Sequence, residues 1–206
     1  FKLYVFQRYH LAQHGNLLEY FESVEMPLLP IVSEMEMNGY VIDREFAREY
    51  GDQLRKEAAE SHASVVEGLG DINLNSPVQL KTAIEAHIGK PIENTDAKQT
   101  LKPLSKEYPI IAELLNYREK NKLLSTYIDA LPELIREASG RLHANYNQNG
   151  TKTGRFSSNG PNLQNIPPES RGMFIAPSGQ YIVNADFSAQ EVRIIASLSK
   201  EDVLLK

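Results

Sequence analysis

The sequence predicts an α+β fold: long helices first, then a small, mostly antiparallel sheet. Three observations carry that expectation. Apolar residues recur at helical spacing through the first two thirds of the chain. Near Ser139 the pattern changes to short alternating and turn-rich stretches. A 206-residue chain that is 41% hydrophobic can bury a real core, in one large or two small domains.

From the N-terminus, Leu17, Leu18, Phe21, Val24, Leu28, Leu29, Ile31, Val32 and Met35 recur roughly as a helix requires, and Asn38-Gly39 ends that segment. Asp43 is an N-cap candidate, with an amphipathic run from Phe46 towards Leu69 that Gly68, Gly70 and Asp71 break. In Asn75-Ser76-Pro77, serine is the cap and proline the first helical residue. Leu80, Ile84 and Ile88 form its stripe, and Gly89-Lys90-Pro91 ends it. Residues 93–98 are polar and predict an exposed tip. Pro109 opens another long helix, with Ile110, Leu114, Leu115, Tyr117 and Leu123 expected to face inward and Pro132 to interrupt it. Residues 141–147 alternate as a strand, Asn149-Gly150 suits a hairpin turn, and residues 151–158 are the expected return strand. A turn-rich loop over 159–168, an apolar strand over 180–185 and an amphipathic helix over 189–198 complete the chain. There is no internal repeat.

Composition removes several functions. With no cysteine there is no disulfide, thiolate zinc site or cysteine nucleophile, which fits a reducing compartment. The five histidines lack metal-ligand spacing and are read mostly as surface or packing residues. No stretch is apolar for the ~20 residues of a membrane helix, and no membrane partner is expected. Phe1-Lys2-Leu3 opens without initiator Met or secretory signal, as a cut inside a longer protein would. The net charge of -5 argues against indiscriminate nucleic-acid binding. Acids crowd the first part of the chain, whereas Arg141, Lys152, Arg155 and Arg171 stand in a stretch whose only acid is Glu169. Nucleic acid, if bound, is expected at that second region.

Two stretches carry chemistry. Residues 151–167 combine Arg155, hydroxyls such as Thr153 and Ser157, and the amides of Asn162 and Gln164 on a Gly/Pro-shaped backbone. Amides and arginine can donate to the acceptors that every base pair presents in the minor groove, and hydroxyls suit phosphates. Equally, such side chains can satisfy their own backbone in a plain polar loop. In residues 181–193, Asp186 stands between an apolar run and a helix, where a carboxylate can hold Mg²⁺ or simply cap the helix. Glu191, five residues on, is a solvent-facing helix carboxylate, a partner of a base such as Lys200, or part of the same site.

Taken together, Thr-x-Thr-Gly-Arg-x-Ser-Ser…Pro-Asn-Leu-Gln-Asn-Ile-Pro and Asp-Phe-Ser-x-x-Glu-x-Arg resemble the palm signature and first catalytic motif of family A DNA polymerases. Upstream segments are similar too: 27–43 to the start of the polymerase domain, 72–80 and 117–129 to the thumb, and 1–25 to the tail of an exonuclease-type domain and its connection. The resemblance implies a helical thumb over 26–139 and a partial palm over 140–206. It implies two-metal phosphoryl transfer from a deoxynucleoside triphosphate to a primer 3′-hydroxyl. Asp186 and the Phe187 backbone carbonyl correspond to metal ligands, and Glu191 to the steric gate against a 2′-hydroxyl. Arg155, Asn162 and Gln164, with Thr153 and Ser157, correspond to template-primer contacts, and Asn73, Asn75, Ser76 and Lys122 to thumb positions near the duplex backbone. Implied partners are primer-template DNA, dNTP, Mg²⁺ and a complementary polymerase chain, in the cytoplasm.

Departures are Gln190 beside the gate, a short link at 168–173, and a short thumb tip with Ala97 and Pro103, which fit a phage or metagenomic member. The fingers helix and the second palm carboxylate do not occur before Lys206, so the chain alone is expected not to polymerise DNA. The alternatives are a non-catalytic DNA-binding module, half of a split polymerase, and a structural assembly subunit. A nuclease is disfavoured because such sites gather several carboxylates.

Overall fold

The computed structural model describes residues 1–201 and residue 203. They form two compact units, residues 1–175 and residues 176–206. The chain opens with α1 (Lys2–Ala12), then α2 (Leu17–Tyr20), which runs through a π-helical turn at Phe21–Glu25 into α3 (Met26–Asn38). The helix stops at Asn38-Gly39 as expected. Of the apolar series between 17 and 35, however, only Val32 is buried, while Leu17, Leu29, Ile31 and Met35 are exposed.

Local capping chemistry holds up well. The Phe46 N–H donates to Asp43 Oδ1 at 3.0 Å and starts α4 (Arg44–Leu69). The Gln79 N–H reaches Ser76 Oγ at 3.5 Å at the head of α5 (Pro77–Ile88), and Gly89 closes that helix in the left-handed region, φ 73°. Leu80 and Ile84 are fully buried and Ile88 half-buried, so the predicted stripe is the packed face.

At 26 residues, α4 is about 39 Å long. Its main partner is α7 (Pro109–Leu123), and the pair serves two cores. Ala47 and Leu54 near one end of α4 join Leu123, Leu124, Tyr127, Ile128, Leu131, Leu142, Ile166 and Met173. Val65 and Leu69 near the other end join Leu74, Leu80, Ile84, Ile92, Leu101, Ile111 and Leu114. The helices approach closely at Gly68, where an added Cβ would lie 2.7 Å from Ile110 Cδ1. Ile110 faces inward there as expected, half-buried against the core, and the neighbouring Ile111 is fully buried beside it.

Three expectations need adjustment. The tip at 93–98 is largely exposed as expected, but its last two residues are helical: Asp96 Oδ1 accepts from the Lys98 and Gln99 N–H groups and starts a turn at Ala97–Leu101 that leads into α6 (Lys102–Leu104). The long helix departs from regularity before Pro132, in a π-helical turn at Leu124–Ile128 that turns Leu124, Tyr127 and Ile128 all inward. Pro132 sits in the short α8 (Ala130–Glu133). Finally, residues 180–185 form no strand: Tyr181 and Val183 are 93% and 87% exposed, and no ladder partner exists among the described residues. A strand is stabilised by its neighbour, and an apolar run alone does not supply one.

The small antiparallel sheet is a patchwork of ladders. β1 (Val41–Ile42) pairs with β6 (Phe174–Ile175), and β2 (Ile135–Arg136) with β3 (Arg141–Leu142). Reciprocal bonds of 2.8 and 2.9 Å between Tyr40 and Leu142 link those two ladders. β4 (Asn145–Asn147) pairs with β5 (Ser157–Asn159). The expected two-residue hairpin turn is instead a loop over 148–156. Its own bonds close it: the Asn149 N–H to Asn147 Oδ1 at 3.0 Å, and the Thr151 hydroxyl to Arg155 O at 2.8 Å. In the second unit α9 (Gln190–Ser199) forms as expected. Among the described residues no helix is long and apolar enough to cross a membrane.

Candidate nucleic-acid interface and metal-binding carboxylate

Thr153, Arg155, Ser157, Asn162 and Gln164 come together on the 148–156 loop, β5 and the turn just after it. The turn is braced from within. Ser158, buried, donates its hydroxyl to Asn162 Oδ1 at 3.2 Å and accepts the Leu163 N–H at 3.1 Å. Asn162 Oδ1 also accepts the Gln164 N–H at 3.1 Å, and Gln164 Nε2 donates to Phe156 O at 3.0 Å. Tyr127 ties the turn to the core through its hydroxyl, which donates to Asn165 O at 2.9 Å. The loop thus satisfies its own backbone, one of the two alternatives its composition left open. The same bonds take up the acceptor oxygen of Asn162 and leave its exposed NH₂ group pointing away from them. Thr153 and Arg155 are exposed as well. Thr153 Oγ1 lies 3.1 Å from Thr151 Oγ1.

The scaffold beneath this loop was not visible in the sequence. The Tyr146 N–H donates to Glu36 Oε1 at 2.6 Å, and the Tyr146 hydroxyl lies 2.7 Å from that of Tyr40. Burial, then the Tyr40 hydroxyl, pushes the Tyr146 phenol well above its ordinary value. His143 is buried, with Nδ1 2.7 Å from Glu36 O and Nε2 2.7 Å from Ser139 Oγ. Nδ1 therefore donates, because a carbonyl only accepts. Gln148 Nε2 donates to Glu25 Oε2 at 2.9 Å and to Glu25 O at 3.2 Å. The one available signal was strand alternation, which puts Tyr146 and Gln148 on the same side.

Elsewhere in this unit the candidate residues lie apart in the chain. Asn73, Asn75 and Ser76 build the approach to α5: Asn73 Oδ1 accepts the Asn75 N–H at 3.0 Å, Gln79 Oε1 accepts the Asn73 N–H at 3.0 Å, and Ser76 is the cap. Lys122 is exposed in the last turn of α7.

In the second unit, Asp186 and Phe187 are exposed and line a shallow concavity with Ser188, Gln190, Arg193 and Ser197. Asp186 does not cap α9, because Ala189, at φ 50°, occupies the cap position without a side-chain bond. Arg193 Nε instead donates to Ser188 O at 2.9 Å and fixes the turn just beyond Asp186. Glu191 is exposed in the first turn of α9. An exposed carboxylate with a neighbouring carbonyl is a hard oxygen donor set and fits part of a magnesium shell, completed by water and phosphate. Among the described residues no group of three or more His, Cys, Asp or Glu could hold a metal ion.

The first unit is a helical body carrying an arginine-and-amide loop, and the second presents an exposed carboxylate before a helix. A sequence profile of DNA polymerase family A matches residues 44–206, and the chain belongs to that family. It is 37% identical to DNA polymerase I of Chloroflexus aurantiacus and 38% identical to the thermostable DNA polymerase I of Thermus aquaticus, each over 95% of this chain. The chain spans 23% and 25% of the length of those curated relatives. The POL domain of Pol1 from M. smegmatis, in complex with DNA primer-template and dNTP, superposes with a TM-score of 0.80 at 28% identity. That match covers 94% of this chain and 36% of the other.

Proposed function

We propose that these residues bind primer-template DNA as the thumb (26–139) and first palm portion (140–206) of a template-directed DNA polymerase, with 1–25 as a connecting segment. In this reading Arg155, Asn162 and Gln164 contact the minor groove near the primer terminus, where every base pair offers acceptors. Thr153 and Ser157 serve the adjacent phosphates, and Asn73, Asn75, Ser76 and Lys122 contact the duplex backbone. Asp186 and the Phe187 carbonyl would hold magnesium, which supplies charge neutralisation for the attacking and leaving oxygens. Glu191 packs beneath the incoming sugar and excludes a 2′-hydroxyl. The observation that supports the reading best is the braced turn: by consuming the Asn162 oxygen it presents the NH₂ group, a donor, seven residues after Arg155.

Fluorescence anisotropy with a labelled primer-template tests this. Arg155→Ala is expected to weaken binding roughly 5- to 100-fold, with affinity falling steeply as salt rises. Salt-insensitive binding, unchanged by the substitution, would remove the support for the reading. The 206-residue polypeptide by itself is expected to give no sustained Mg²⁺-dependent primer extension, because one carboxylate does not position two ions. Processive extension by the pure polypeptide contradicts that expectation. A module that binds DNA without taking part in synthesis shares the binding result. It differs in staying silent when a chain carrying the remaining polymerase motifs is added.

A further inference from the structure

We propose that Glu25, acting through Gln148, is a positioning residue that sets the 148–156 loop in register for Arg155 to meet a duplex, with Glu36 as the second anchor of the same rail. The proposal rests on the DNA-binding reading above. Three features of the first unit carry it.

The two glutamates lie on one helical face, since eleven residues make about three turns. Their partners run the opposite way along β4. Glu36 takes the Tyr146 N–H on its side chain and the His143 ring on its carbonyl, and Glu25 takes Gln148. The lengths agree: eleven residues of helix rise about 16 Å, and the five residues from 143 to 148 extend about 16 Å.

The π-helical turn at Phe21–Glu25 ends at the residue that grips Gln148. Such turns insert a residue and re-aim the side chains beyond it, and they recur at functional sites.

Burial does not explain the helix. Apart from Val32 its apolar side chains are not buried, so its bond to the sheet is largely polar. Gln148 is the first residue of the loop, and Ser157 at the far end is held by pairing with Asn147. That pair closes the loop at both ends, and Glu25 adds a side-chain anchor to its first residue. Tyr20 also lies beside the Glu25 carboxylate, whose hydrogen bond and charge raise its phenol.

The test uses the whole chain, a fluorescein-labelled hairpin primer-template, and the same hairpin with 3-deazaguanine at the primer terminus, which lacks the minor-groove acceptor. Wild type is expected to prefer the normal hairpin, and Arg155→Ala to lose that preference. Glu25→Ala, which removes the side-chain bond, should weaken binding to the normal hairpin roughly 3- to 10-fold, and Gln148→Ala, which also removes the bond to Glu25 O, at least as much, each bringing the ratio of the two affinities towards one. Glu25→Gln keeps an acceptor oxygen for Gln148 and should retain the preference. Removing a negative charge near DNA would instead raise both affinities alike. If Glu25→Ala fails to fold, Gln148→Ala cuts that bond, and the one to Glu25 O, from the loop side. Full preference in both Glu25→Ala and Gln148→Ala, beside a discriminating wild type, overturns this inference alone. A wild type without preference overturns the functional reading, and this inference with it.

Discussion

Gly39→Ala is expected to destabilise the first unit by about 3 kcal/mol, because a strained backbone and a steric clash add at one atom. Gly39 sits at φ 57°, ψ -169°, a region open essentially only to glycine. A Cβ there would lie 2.7 Å from the His143 ring and 2.7 Å from the Leu142 carbonyl oxygen. Neither can retreat cheaply. Leu142 is tied to Tyr40 by two backbone bonds, and His143 is held between Glu36 and Ser139. In a chain of this size a loss of that order lowers Tm by roughly 10 °C. Thermal unfolding followed by circular dichroism checks the value, and a fall of under 2 °C would show that the helix–hairpin junction is not closed this way. The double variant Gly39→Ala/His143→Ala separates the two causes: it relieves the ring clash but leaves the backbone strain, so its cost should be less than the sum of the singles.

Leu114→Ala is expected to cost about 2–5 kcal/mol, the range for emptying a closed leucine site. Leu114 is fully buried in the core it shares with Val65, Leu80, Ile84, Leu101 and Ile111. Those residues come from α4, α5, α7 and the turn at Ala97–Leu101, so collapse around the hole would have to move four elements. The neighbouring Leu115 is only half-buried, and Leu115→Ala should cost clearly less. Because the Arg155 loop stands on the other core, through Tyr127 and Ile166, the preference for the normal primer terminus should survive Leu114→Ala wherever the variant remains folded. Denaturant unfolding gives the first quantity and anisotropy the second. A loss below 1 kcal/mol, or a variant that is folded yet indifferent to the terminus, would contradict the two-core description.

How much was legible in the sequence depends on how far each feature reaches along the chain. Candidate site residues were legible as chemistry, since arginine, amides and an aspartate before a helix carry their properties wherever they stand. Their surroundings were not. Nothing local indicates that Asn162 spends its oxygen on Ser158, or that Gln164 turns back to Phe156. Periodicity picked out the helix from Pro109 and the inward Ile110 but not the fully buried Ile111, because how wide a face is covered depends on how closely α4 and α7 approach. Residues 180–185 have strand composition, yet composition supplies no hydrogen-bonding neighbour.

The sequence by itself determined where the principal helices begin and end, and to which family the chain belongs. Caps such as Asp43 and Ser76 act within three residues, and a linear motif needs no fold to be recognised. Only the tertiary structure decided that two cores share one pair of helices, that the hairpin carries a long loop, and that Glu25 and Glu36 run beside it. The Glu25 and Glu36 contacts join residues more than a hundred positions apart, and the energy of all these contacts depends on which groups the folded chain removes from water together.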